Sequence, residues 1–493
     1  MKILFVSPNL PETFWNLKHV LRCISRKATL PPLGLLTVGG MLPSGWEKRL
    51  VDVNVQLLTD RDIVWADYVF IGGMYVQKDK VQEIVDRCKR LGVKTVGGGP
   101  VFRLGHNEID GVDHIIYGEA ENSVHRFVED VEKGNPQESY SCEGWAEIKD
   151  SPVPLWDIVD VKKYASACIQ FSRGCPFGCD FCDVTQLFGN KMRLKTTGQM
   201  IAEMDRLYET GWKGPVFIVD DNFIGSKGHL KREVLPAMIE WMDEHGHPFN
   251  FNTQVSINVS DDEELMRMMS DAGFDAVFIG IETTSDACLE ECNKRQNKNR
   301  DLVECVKKVQ RFGLQVQAGF ILGFDNDLPT IFDKLTNFIQ NSGIATAMVG
   351  LLNAPRDTEL YRRLDGEDRL LYDSTGDNTD FSLNFIPKMD SQQLVDGYKA
   401  VISTIYAPKN YYKRVLTLLK NYEPPKKKPP FCSHDLCVLF KSMWLVGVVG
   451  KGRTYYWRLL FWSIFRRRAN FNLAVMYAIY GFHFQKAFAG RAA

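Results

Sequence analysis

The stretch FSRGCPFGCDFCDVT, Phe171 to Thr185, places three of the chain's twelve cysteines within eight residues. Cys175, Cys179 and Cys182 have the spacing C-x3-C-x2-C, and the stretch follows an apolar run, ACIQFSR, that reads as a strand. A structural zinc site closes with four ligands. Three thiolates on one tight loop can instead each hold one iron of a four-iron, four-sulfur cluster and leave the fourth iron open. Two alternatives stand beside this reading: a zinc site completed from afar by Cys168 or His114, and a purely redox thiol loop.

Downstream, the apolar runs PVFIVDDNF, FNTQVSINV, AVFIGIET, VQAGFILGF and TAMVGLLNAP alternate with helical stretches. One of these, DEELMRMMSDAG, has Ser260 before it as the expected N-cap and Gly273 as the stop. Six strand–helix units predict a partial (β/α)6 barrel of the TIM type over residues 166–388, with functional residues at the strand C-termini. Upstream, KILFVSP, YVFIGGM, VKTVGGGP and HIIYGEAE alternate with helices, which predicts an α/β, doubly wound (Rossmann-like) domain over 1–145. Ligands bind such sheets at the strand C-termini, so Gly97, Gly98, Gly99 and Pro100 mark an edge where a ligand could approach backbone closely. No G-x-G-x-x-G opens a helix there, which excludes a dinucleotide fingerprint. Residues 146–165, with their spaced prolines, read as a linker.

Residues 389–423 read as a helical extension. Beyond PPKKKPP (Pro424–Pro430), a semi-rigid basic linker, lies a tail with a different charge balance. Residues 424–493 hold twelve Lys and Arg against one acidic residue, Asp435, so the tail carries about +11 while the whole chain stands at −1. No apolar run reaches a spanning length of about 18 residues. Trp444, Trp457 and Trp462 beside basic residues suit helices lying in a membrane interface, and the alternative is a helical cap packed on the barrel. The N-terminus lacks a signal-peptide pattern and most cysteines stand singly, so a cytoplasmic chain with reduced thiols is expected, at the inner face of the membrane if the tail docks there. Nothing in the sequence points to nucleic acid.

The motif RGCPFGCDFC, with Phe181 before the last Cys, resembles the signature of the radical S-adenosylmethionine (SAM) enzymes. The resemblance implies a [4Fe-4S] cluster on Cys175, Cys179 and Cys182 whose open iron chelates SAM, which one electron cleaves to methionine and a 5'-deoxyadenosyl radical. It also implies an electron donor such as flavodoxin or ferredoxin. In VDDNF, Asp220, Asp221 and Asn222 stand where the family often has G-G-E to meet the SAM ammonium. Glu282 in GIET stands where the ribose hydroxyls are often met, and Gly319 and Gly323 in AGFILGF resemble the motif along the adenine. Arg193 and Lys195 are candidates for the SAM carboxylate or for a solvated basic face.

The first domain resembles the cobalamin-binding module of B12-dependent radical SAM enzymes, through PPLGLLTVGGML, VGGGP and YGEAE, which implicates Gly97, Gly98, Gly99, Pro100 and Glu119. The chain has no D-x-H-x-x-G; its one D-x-H, Asp243 and His245, has Pro248 at the glycine position, so cobalamin without a histidine lower ligand is expected. Across 1–420 the chain resembles the branch containing the hopanoid C-2 methylases and the tetraether-lipid ring synthases. TFWNLKHVLRCISRKATLPPLGLLTVGGMLP, ECNKRQNKNRDLVE and AMVGLLNAPRDTELYRRL carry that likeness. It implies methylation of an unactivated sp3 carbon of a polyisoprenoid lipid. Lipid ring closure, methylation of a peptide or antibiotic, and a cobalamin/Fe-S sensor remain alternatives.

Overall fold

Buried apolar strands and amphipathic helices build two parallel sheets in the computed structural model, which describes residues 1–377, 380–425, 427 and 433–489. Most of the expected linker at Pro424–Pro430 lies outside the described residues. The sheets belong to two units, interleaved in sequence: Met1–Glu12, Arg26–Gly174 and Leu187–Lys213 form one, and Thr13–Ser25, Cys175–Gln186 and Gly214–Ala493 the other.

The first unit holds β1 (Lys2–Ser7), β2 (Glu47–Asp52), β3 (Tyr68–Gly72), β4 (Lys94–Gly98), β5 (His114–Ile116) and β6 (Ser139–Tyr140), in the order β2-β1-β3-β4-β5-β6 with every neighbouring pair parallel. Both faces are covered, so β1 is a continuous apolar run rather than an alternating one. Leu4, Val6, Val69 and Ile71 pack with Val81, Val85 and Cys88 of the helix Lys78–Arg90. On the opposite face Ile3, Phe5 and Phe70 meet Phe127 of the helix Val124–Glu132. This is the doubly wound domain the alternation predicts, and its first five strands follow the flavodoxin-like order. The segment 146–165 is short 3₁₀ turns, seated by Trp156, which is 1% exposed. The same unit holds β7 (Ala167–Ile169) and the antiparallel pair β8 (Ser172–Arg173) and β9 (Arg193–Leu194).

In the second unit β10 (Gly214–Ile218), β11 (Phe249–Val255), β12 (Phe274–Glu282), β13 (Gln315–Leu322) and β14 (Ala347–Leu351) run parallel in sequence order, with helices between them. Alternation divides their faces: Val277, Ile279 and Ile281 of β12 are fully buried, whereas Phe278 and Gly280 are only half-buried. One local expectation fails. The helix Glu263–Asp271 is capped by Asp262, whose side chain accepts from Leu265 N–H, and Ser260 sits in the preceding 3₁₀ turn. Asp262 is the residue adjacent to the helix, and its carboxylate also suits the positive end of the helix dipole. Gly273, at φ +94°, follows the helix end as expected.

The helices Ser391–Tyr406 and Pro408–Asn421 form the extension, and Ser433–Leu445, Arg453–Arg466 and Phe471–Ala489 the tail. The tail is not uniform. Ala474, Tyr477, Ala478 and Phe484 are fully buried, and the Tyr411 ring lies so close to Gly481 that a Cβ there would stand 2.3 Å from it. The Tyr411 hydroxyl donates to the Tyr477 carbonyl at 2.7 Å. The last helix is therefore part of the unit's core, as in the helical-cap reading. Among the described residues no helix is long and apolar enough to cross a membrane.

Candidate active site

The cysteine loop begins at a turn that only glycine fits. Gly174 has φ +90°, and a Cβ on it would lie 2.7 Å from the Lys191 carbonyl. Beyond it Cys175, Cys179 and Cys182 are half-buried, and the loop is tied to the second unit by its backbone. Asp180 N–H donates to the Cys292 carbonyl at 3.2 Å, Leu360 N–H donates to the Asp180 carbonyl at 2.9 Å, and Asn293 donates its amide to the Gly178 carbonyl at 2.8 Å. Phe181 packs edge-on against Phe324, centroids 6.3 Å apart, which anchors the loop beside the end of β13.

Burial raises all three thiols above the ordinary cysteine value, Cys182 to about 12. A thiolate here therefore needs a compensating positive charge, which iron supplies. One cation of the chain itself acts on all three: Lys294 lowers each of them. Its ammonium donates to Glu282 at 2.5 Å, and side chains of both are nearly buried, 12% and 10% exposed. Burial works against the Lys294 charge, but Glu282, Cys179 and Cys182 outweigh it and hold the ammonium well above its ordinary range.

Glu282 reaches this place through distorted backbone. It ends β12 at φ +64°, a left-handed conformation uncommon outside glycine, and the β12–β13 register slips between Gly280 and Glu282. The side-chain amide of Asn297 holds the distortion, donating at 3.0 Å to the carbonyls of both Gly280 and Ile281. Gly280 must lack a side chain, since a Cβ would meet Glu282 Oε1 at 2.2 Å and Lys294 Nζ at 2.6 Å. After β10, Asn222 hydrogen-bonds the Cys175 sulfur and the charge of Asp221 acts on the same thiol, while Asp220 is fully buried.

Of the residues singled out from sequence, the three cysteines, Asp221, Asn222 and Glu282 are thus brought together, with Phe181 beside them. Gly323, at φ +108°, is needed for the turn itself: its N–H donates to Asp327 at 2.8 Å. Gly319 lies on β13 against Phe278, whose ring a Cβ would approach to 3.0 Å. Arg193 and Lys195 are neither solvated nor free. Arg193 pairs with Glu119, and Lys195 with the buried Glu203. Lys294, Asn297 and Gln296, which hydrogen-bonds Cys179, were missed. The signal available was a lysine after a short helix, twelve residues beyond Glu282.

The set suits a four-iron cluster and SAM: three half-buried thiols, a fixed ammonium, and carboxylate and amide acceptors on neighbouring strand ends. Among the described residues no three His, Cys, Asp or Glu side chains gather tightly enough for a single metal ion, whereas a cluster places each thiolate on its own iron. In the first unit the glycine edge is mixed. Phe102 fills the space a Cβ at Gly97 would take, Gly99 packs by Gly73, and Gly98 has open space with only the Ile116 carbonyl at 3.7 Å. Glu119 is held by Arg173, by Arg193 and by the Ala146 N–H, with 5% of its side chain exposed. Asp243 and His245 sit near the end of the helix Leu235–Glu244 in the second unit.

Residues 169–339 match the model of the radical SAM superfamily, and residues 358–491 match a domain of unknown function, DUF4070. An uncharacterized methyltransferase of Synechocystis sp. is 37% identical, the match covering 98% of this chain and 91% of that protein. The hopanoid C-2 methylase of Rhodopseudomonas palustris is 30% identical over 96% of this chain and 92% of its own length. Among solved structures, the cobalamin-dependent S-adenosylmethionine radical enzyme OxsB with aqua-cobalamin bound matches 99% of this chain and 79% of its own at a TM-score of 0.64 and 13% identity, a likeness of fold.

Proposed function

We propose that this chain, which belongs to the radical SAM methyltransferase family of the hopanoid C-2 methylase, methylates an unactivated sp3 carbon of a polyisoprenoid lipid with cobalamin as methyl carrier. The observation that carries the reading is the end-to-end similarity to the hopanoid C-2 methylase, which runs through the first unit, the cysteine loop and the tail alike. The bound groups would supply reductive cleavage of SAM to a 5'-deoxyadenosyl radical and a transferable methyl group.

The chain's own residues divide that work. Cys175, Cys179 and Cys182 would hold the cluster. Asn222 and Asp221 would meet the SAM ammonium, Lys294 the carboxylate, and Glu282, one of whose oxygens already accepts from Lys294, the ribose diol. In the first unit the open backbone at Gly98 is the place where a corrin edge would approach, with no histidine to cobalt. An electron donor of the flavodoxin or ferredoxin kind completes the set of partners.

A lipid substrate also calls for a place at the membrane. Leu436, Phe440 and Trp444 form a stripe at four-residue spacing on the first tail helix, and Val449, Phe461 and Phe465 are exposed as well, with 55–79% exposure for Phe440, Trp444, Val449, Phe461 and Phe465. Lys451, Arg453, Arg458, Arg466 and Arg468 of the same tail are exposed too. This surface, and not the buried last helix, would rest on the inner face of the membrane.

Incubating reconstituted enzyme with SAM, reductant, methylcobalamin and diploptene is expected to yield a methylated hopanoid and 5'-deoxyadenosine. Deoxyadenosine without methyl incorporation breaks the methylase reading and favours ring closure.

A further inference from the structure

The segment Thr13–Ser25 belongs to the second unit although the chain on either side of it belongs to the first. Two aromatic residues fix it. Phe14, 3% exposed, stacks on Phe484 of the last helix with centroids 4.7 Å apart and planes at 14°. Trp15 turns the other way, onto the strands. Its ring meets Phe278 of β12 edge-on at 5.5 Å and its Nε1 donates to the Met348 sulfur of β14 at 3.1 Å.

Phe278 and Met348 are half-buried and Trp15 is 38% exposed, whereas the alternate residues Val277, Ile279, Ala347 and Val349 are at most 1% exposed. The three side chains therefore leave apolar surface uncovered on the inward face of the strands. Gly319 keeps that surface flat, because a Cβ there would press on Phe278. Phe278 and Gly280 share this face of β12 by the two-residue strand period, and across the bulge the Glu282 carboxylate returns to it, 2.2 Å from where a Cβ on Gly280 would stand. Phe278 stands four residues before Glu282 and the row of Met348, which pairs through Gly319 with Gly280, two residues before it, so the floor spans about 7–13 Å along the strands from the carboxylate. The apolar surface is one-sided: the neighbouring strand β11 offers the half-buried amides Asn252 and Gln254.

We propose that Trp15, Phe278 and Met348 form the floor of the substrate site and bind the far end of a rigid, ring-built hydrocarbon whose near end is presented to the Glu282–Lys294 end of the strands. The floor suits a ligand without polar groups there, because the indole N–H is directed to the Met348 sulfur. The span of about 7–13 Å between floor and carboxylate selects which carbon is presented. The proposal rests on the lipid-methylase reading and names the part of the chain that recognises the lipid.

The test compares binding of radiolabelled diploptene, and steady-state methylation, in the reconstituted full chain and its W15A, W15F and M348Q variants, each checked for a native melting transition. W15A and M348Q are expected to weaken binding and raise KM about tenfold, with kcat changed less, and W15F to stay within about threefold of the parent. Equal diploptene affinity in parent and W15A overturns the floor and leaves the lipid reading standing. No diploptene binding by the parent, with methyl transfer to a water-soluble acceptor instead, overturns the lipid reading and the floor with it. If W15A fails to fold, M348Q and W15F decide, and unchanged KM in M348Q overturns the floor.

Discussion

Both parallel sheets end in charged, glycine-bearing loops, yet the two ends are finished differently. In the first unit Glu119 and Glu121 are answered by Arg173 and Arg193, whose side chains are about one-tenth exposed, so charge is balanced within the protein. In the second unit a single ammonium, Lys294, faces Glu282 and the three loop cysteines together. A site built for bound groups keeps chemistry that the fold itself does not satisfy. Around Glu119 the first unit closes its own contacts and leaves the Gly98 backbone open.

The largest expected effect tests the second end. Replacing any one of Cys175, Cys179 or Cys182 by Ala should abolish deoxyadenosine formation and the cluster's visible absorption, read by anaerobic reconstitution and iron analysis. Retention of a full cluster in a single variant would sink the three-thiolate assignment. Next comes Lys294→Met, which leaves Glu282 buried beside the loop without its partner. Stability should fall by about 3–5 kcal/mol, measured by denaturant unfolding. Adding Glu282→Gln should recover most of that stability while SAM cleavage stays at least about a hundredfold down, which separates the site's chemistry from its architecture.

The first end should respond the other way. Glu119→Gln is expected to lower stability by about 1–3 kcal/mol and to leave cobalamin affinity, followed by equilibrium dialysis, within about threefold. A cobalamin loss with unchanged melting would make Glu119 a cofactor contact, as the YGEAE resemblance implies, and would erase the contrast between the two ends.

The smallest effect is with pH. Burial raises the Glu121 carboxyl, but hydrogen bonding and charge from Arg173 outweigh it, so the folded value lies below the ordinary one. A depressed carboxyl adds stability that is present above its unfolded value and lost as pH falls through the folded one. Melting temperature should therefore drop between neutral pH and the acidic end of the carboxylate range, and the drop should be shallower in Arg173→Gln.

How much of this was readable beforehand follows from where each contact comes from. The C-x3-C-x2-C loop, the two runs of strand–helix alternation and the placement of Glu282 at a strand end depend on neighbours in the chain, so spacing and residue type were enough. The Ser260 cap failed at the same short range because Asp262, nearer the helix, offers the stronger acceptor. The tail's basic, aromatic composition was plain, but composition is averaged over three helices, of which Phe471–Ala489 is core and the first two carry the exposed surface.

By itself the sequence determined the local chemistry of this protein: which thiols crowd onto one loop, where strands end, and which segment is cationic. The tertiary structure alone decided that Lys294 is the cation among the thiols, that Arg193 and Lys195 are held by carboxylates, and that Trp15 leaves the chain around it to meet strands more than 250 residues away. The physical reason is that burial and ion pairing depend on which faces come together in space, and no short-range periodicity records which distant side chain will occupy a given face.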